Sequence, residues 1–167
     1  EVLKSFNDLL QLPYFMGAEK AGTIEAAILG AEKGTEWIKI CLDYYTDKTF
    51  IKQDSSLDIR KLPEIMVEEL EKFKPIHYLD VEEMKNIKNM DFQKEILVMP
   101  NEYFSPKIFD SREVLITPRT YAIHHYQNSW FSHKAKIYYR TRTILIRILG
   151  YNFIQKTERI LMPSRFK

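Results

Sequence analysis

Thr-Tyr-Ala-Ile-His-His-Tyr-Gln-Asn-Ser-Trp, residues 120–130, gathers two of the four histidines and one of the two tryptophans into eleven residues. Tyr121 and Ile123 alternate with Ala122, His124 and Tyr126, a spacing that predicts a half-buried strand, broken by Gln127, Asn128 and Ser129 before Trp130. Successive strand side chains point to opposite faces, so His124 and His125 do not readily serve one centre together. His124 shares a face with Ala122 and Tyr126 and is assigned to a cleft; His125 goes to the packed side.

Upstream of this stretch the pattern mixes helices and strands. Tyr14, Phe15 and Met16, between Pro13 and Gly17, read as a buried strand. Ile24, Ala27, Ile28 and Ala31 recur at helical spacing, which predicts a helix over residues 21–33 closed by Gly34, with Glu25 on another stripe. Thr35 is placed to cap a second, mostly apolar and therefore buried helix running from Glu36 to about Tyr45. Pro63 suits a first helical turn, Met66, Leu70 and Phe73 share a face, and Pro75 ends that helix. Asp80 and Glu83 form a capping-box pattern ahead of Met84 and Ile87. Residues 96–99 and 114–116 read as strands, separated by a loop rich in proline and aromatic residues, 100–106. The expected class is α/β or α+β.

Composition narrows the function classes. With 167 residues, 45% hydrophobic and 13% aromatic, the chain can bury one domain core. The single cysteine, Cys41, excludes a disulfide framework or a cysteine-rich metal site and fits a reducing cytoplasm. No apolar stretch approaches the ~20 residues a membrane span requires. The opening Glu1-Val-Leu-Lys-Ser-Phe reads as a cut from a longer protein.

The net charge of +2 is unevenly spread: residues 131–167 carry nine Lys or Arg against Glu158 alone, a charge of +8 that leaves −6 for the preceding 130 residues. Ile137, Thr141, Ile144, Leu145 and Ile148 share one helical face there, and Lys136, Arg140, Thr143 and Arg147 another. Residues 133–167 thus form a basic amphipathic helix, or a pair broken near Gly150. It serves either as an interfacial element on an anionic membrane or as a domain-packing helix with a charged outer face. The basic residues match no nucleic-acid-binding motif, so no nucleic acid is expected as a partner.

There is no Gly-X-Ser-X-Gly elbow, no phosphate loop and no Gly-X-Gly-X-X-Gly. An imidazole on a strand is more often a satisfied core or surface group than a ligand, and one strand cannot supply a metal's full ligand set.

Residues 121–130, preceded by Asn-Glu-Tyr-Phe-Ser-Pro at 101–106 and Gly-Ala-Glu-Lys-Gly at 30–34, resemble the C-terminal half of the glycosyltransferases with an Asp-X-Asp sugar-binding motif (family 32). This is the family of yeast mannosyltransferases and bacterial capsular polysaccharide enzymes. The resemblance covers roughly residues 1–132, with 133–167 as a tail. It implies a GT-A fold, a Rossmann-like core in which Asp-X-Asp holds Mn2+ (or Mg2+) against the diphosphate of a nucleotide-sugar donor. The implied activity is transfer of a hexose, usually with retention, to a saccharide or lipid-linked saccharide acceptor in the cytoplasm at the inner membrane face. The Asp-X-Asp carboxylates would lie just before residue 1, so this chain alone is expected to turn over poorly.

By the same resemblance His124 matches a histidine placed to reach the metal or diphosphate, and His125, the second choice, matches a more variable position. Ser129 and Trp130 match a pair that closes over the donor in related toxin-type transferases; they also read as a helix cap and a core anchor. Glu25 is the candidate catalytic residue, standing where family members commonly carry Asn near the sugar. Read from the residues alone, it is a solvated position on a helix. A rival reading makes the chain a non-catalytic module that binds membrane or protein through its basic tail.

Overall fold

A computed structural model describes residues 1–20, 22–107, 113–125 and 132–161, the Arg159 side chain excepted. They fall into two compact units, Glu1–Pro106 with Ile116–His124 and Lys107–Leu115 with His125–Lys167.

The first unit is built on two short ladders. Strands β1 (Tyr14–Ala18) and β2 (Ile24–Ala31) are antiparallel, with Tyr14 opposite Ala31 and Met16 opposite Leu29. Strands β3 (Ile76–Tyr78) and β4 (Ile96–Val98) are parallel. A parallel bridge between Gly17 and Met99 joins the pairs: Met99 N–H donates to Met16 O at 2.9 Å, and Ala18 N–H to Met99 O at 2.8 Å. The strand order is therefore β2, β1, β4, β3, a mixed α/β arrangement.

Alternate side chains divide the core in two. Tyr14, Met16, Ile96 and Val98 pack with Trp37 and Cys41 of α1 (Glu36–Asp43) and Met66 and Leu70 of α2 (Leu62–Phe73). Phe15, Leu97 and Met99 face a second cluster with Leu9, Leu79, Phe104 and Tyr121. Both faces of β1 and β4 are thus covered, and both strands read as continuous apolar runs for that reason. Pro63 occupies the first turn of α2 and the helix ends before Pro75, as its sequence predicts. The capping box also forms: Glu83 N–H donates to Asp80 Oδ1 and Asp80 N–H to Glu83 Oε2, each at 2.8 Å, opening the 3-10 helix Glu83–Asn89.

Five expectations are corrected. Residues 21–33 do not form a helix: residues 24–31 are strand β2. Ile24, Ala27, Ile28 and Ala31 satisfy a helical period, but Ile24, Ala26 and Ile28 equally satisfy a period of two, and pairing with β1 decides. Gly30 shows the consequence, since a Cβ there would stand 2.1 Å from Phe15 Cε1. Residues 114–116 form no strand, only a bridge from Val114 to Lys107, and Leu115 and Ile116 are exposed. Helix α1 buries Trp37 and Cys41 but leaves Leu42 exposed, and Tyr45 beyond it is exposed too. Thr35 holds the N-cap position of α1 without capping it; its hydroxyl donates to Glu32 O at 2.7 Å.

The fifth correction concerns residues 120–124. They are not half-buried with one face outward, because Tyr121, Ala122 and Ile123 are all buried. Residues 1–3 pair along one edge, with Ile123 N–H donating to Glu1 O and Leu3 N–H to Tyr121 O, both at 2.8 Å. Along the other, Tyr121 N–H donates to Tyr103 O at 2.8 Å and His124 N–H to Phe104 O at 3.2 Å. The Tyr121 ring stacks on Phe6 and Tyr103, with centroids 5.8 and 5.9 Å away, and its hydroxyl donates to Asp8.

In the second unit, α3 (His133–Leu149) and α4 (Tyr151–Leu161) are separated by Gly150, at φ +83°, where the sequence predicts the interruption. The N-cap of α3 is Ser132, whose Oγ accepts from Ala135 N–H at 3.3 Å. No helix among the described residues is long and apolar enough to cross a membrane.

Candidate functional site

The start of β2 carries an irregularity that turns a carboxylate inward. Met16 opposes Leu29, yet Ala18 opposes Ile24, so residues 25–28 of β2 lie across from Gly17 alone. Alternation is lost there, and both Ile24 and Glu25 are buried. A Cβ on Gly17 would stand 2.5 Å from Phe104 Cδ2, so glycine is what lets the Phe104 ring lie against β1. The turn ending in Phe104 in turn carries Ser105.

Glu25 is 2% exposed, which corrects its reading as a solvated helix position. Among the described residues, three donors meet its carboxylate. Ala27 N–H reaches Oε1 at 2.7 Å, the His124 ring reaches Oε2 through Nδ1 at 2.9 Å, and the fully buried Ser105 hydroxyl donates to Oε2. Burial pushes the Glu25 carboxyl up. The hydrogen bonds from His124, Ser105 and Ala27, with the charge of His124, outweigh it and hold the group below its ordinary range. A buried carboxylate so satisfied stays ionised at neutral pH, and a proton on Nδ1 of His124 is fixed between the two side chains. The His124 side chain is 34% exposed, so the ring spans from the buried carboxylate toward solvent.

Of the residues nominated from the sequence, Glu25 and His124 are brought together. His125 is half-buried and belongs to the other unit, where its carbonyl accepts from Lys107 Nζ at 2.5 Å. Ser129 and Trp130 lie outside the described residues. Ser105 was not nominated. It stands within the 101–106 stretch, but no spacing in the sequence relates it to Glu25, 80 positions away.

The donor set bears on a divalent cation. Among the described residues no three His, Cys, Asp or Glu side chains are grouped so as to hold a metal ion. Both carboxylate oxygens of Glu25 already accept hydrogen bonds, so His124 is the group this site can offer. One imidazole does not make a manganese or magnesium site, since such ions take several oxygen ligands. The chemistry of Glu25, Ser105 and His124 therefore rests on hydrogen bonding and charge.

A cleft of about 310 Å³ opens elsewhere in the first unit, lined by Tyr14, Trp37, Phe73 and Phe92 among others. None of Glu25, Ser105 and His124 contributes to it, and the buried Glu25 carboxylate with its converging donors is the better marker of chemistry. Comparison with known proteins finds no matching family model, no matching curated protein and no matching solved structure.

Proposed function

We propose that this chain is the C-terminal portion of a GT-A glycosyltransferase that moves a hexose from a nucleotide sugar to a surface polysaccharide or glycolipid acceptor. The observation that carries the reading is the junction of Glu25, Ser105 and His124. The resemblance rests on three separated stretches, and these residues come from two of them and from the β2 strand that runs into the third.

In this reading His124 presents Nε2 to the donor diphosphate, and a proton on that nitrogen offsets charge developing on the leaving group. Glu25 is the positioning residue: it holds the ring by Nδ1. Ser105 and Ala27 N–H keep the carboxylate ionised. The family's manganese, when bound by the Asp-X-Asp segment, would neutralise the diphosphate further.

The test uses the protein carrying the Asp-X-Asp segment that the resemblance places before residue 1, with nucleotide-sugar hydrolysis as readout. His124→Ala should lower kcat by about 100-fold. Glu25→Gln should lower it about 10- to 100-fold. Hydrolysis by His124→Ala at the wild-type rate would remove the assignment.

A further inference from the structure

An ordinary surface helix buries its apolar stripe and exposes its charges. Helix α3 does otherwise. Its buried isoleucine is Ile146, whereas Ile137, Ile144 and Ile148 are 55%, 50% and 71% exposed. At 3.6 residues per turn these three share one stripe, and Ile146 lies on the opposite side. Arg140 and Arg147, one position from the stripe and both exposed, run along its flank.

Helix α4 supplies the other side of the hairpin. Ile154 and Glu158 are buried, and Glu158 Oε1 accepts from Tyr138 Oη at 2.5 Å and from Arg142 Nε at 2.8 Å. Glu158 is the sole acidic residue in the sequence of the two helices, so the contact between them consumes it. Lys134, Arg140, Arg147 and Lys156 are exposed, and no ion pair involves them among the described residues. Phe153 and Ile160, seven positions apart on α4, are exposed as well.

From this we infer that the α3–α4 hairpin binds the surface of an anionic lipid bilayer, lying in its interface with the isoleucine stripe among the acyl chains and the flanking basic residues at the headgroups. Two requirements select that occupant. The surface asks for an apolar sink and for negative charge side by side, which an anionic bilayer supplies over the ~25 Å length of α3. A nucleic acid supplies the charge without the sink. A second copy would set one basic hairpin against another, because residues 125–167 hold nine Lys or Arg and one acid. Neither helix can span the bilayer, so the hairpin rests on it. This inference stands apart from the donor site and would survive its failure.

Vesicle flotation of the whole chain tests it, with phosphatidylcholine vesicles compared with phosphatidylcholine–phosphatidylserine mixtures. The chain should float with the anionic vesicles only, and the bound fraction should fall as salt is raised. Ile144→Ser with Ile148→Ser should weaken binding about tenfold or more, and Arg140→Gln with Arg147→Gln should do likewise. All four positions are exposed, so circular dichroism should show the wild-type helix content in both variants. Equal flotation with neutral vesicles, no flotation with either, or wild-type binding by the isoleucine variant would each overturn the inference.

Discussion

Replacing Glu25 by alanine should cost the first unit about 2–4 kcal/mol, the loss being concentrated at Ser105. Among the described residues the carboxylate has three donors, and water can replace it for two of them. Ala27 is exposed, and the His124 ring is partly so. Ser105 is fully buried, and its hydroxyl would be stranded at about 1–3 kcal/mol. The missing methylene and carboxyl group leave a small void worth about 1 kcal/mol more. Glu25→Gln keeps the volume and one acceptor oxygen, so its cost should be smaller, about 1–2 kcal/mol. Urea unfolding followed by the fluorescence of buried Trp37 supplies the measurement. The pH dependence has a definite sign. The folded carboxyl lies below its ordinary 4.5, so its contribution is complete above that pH and lost as pH falls through the folded value. The gap between wild type and Glu25→Gln should therefore be constant from neutral pH down to about 5 and close below it. A Glu25→Ala variant within about 0.5 kcal/mol of wild type, or a gap unchanged at pH 3, would refute the buried-carboxylate argument.

Gly30→Ala should destabilise by about 1–3 kcal/mol, because its methyl meets a Phe15 ring already stacked on Phe6 at 5.8 Å; Phe15→Leu in the same chain should recover part of the loss in a double-mutant cycle by urea unfolding. Burial, with Glu69 nearby, pushes the Cys41 thiol up to about 11, so alkylation at pH 8 should run at least about 100-fold slower in the folded protein than in urea. Asp80→Ala should cost about 1 kcal/mol in thermal or urea unfolding, since its side chain accepts both Glu82 N–H and Glu83 N–H at 2.8 Å.

What the sequence made legible is what is local. The Asp80–Glu83 box, Pro63 in a first turn and the break at Gly150 are decided within a few residues, and each stands where the sequence puts it. Strand β2 is decided from a distance. Alanine is neutral between the two periods its sequence allows, and Phe15 across from Gly30 settles the matter. Strand β3 escaped notice for a related reason: a segment as short as Ile76–Tyr78 carries no period of its own and is strand by pairing with Ile96–Val98.

The candidate site was legible in half. His124 stands out in the sequence through the density of its neighbourhood, and the resemblance gave it a role. Glu25 was misjudged by the general rule that carboxylates belong outside, which fails where donors converge. Those donors come from Ser105 and His124, 80 and 99 positions along the chain, and from a register slip opposite Gly17. The same facts explain why Glu25 matters for His124. A histidine on a regular strand has its ring set by backbone direction alone, but here a buried, ionised carboxylate grips one nitrogen and so commits the other. A neutral amide of the same length, as in Glu25→Gln, would still hold the ring through its carbonyl oxygen. Glu25→Asn, one methylene shorter, should let the ring go, so the His124 ring signals should shift in NMR spectra, whereas Glu25→Gln should leave them near those of wild type. Wild-type His124 ring signals in Glu25→Asn would reduce Glu25 to a packing residue.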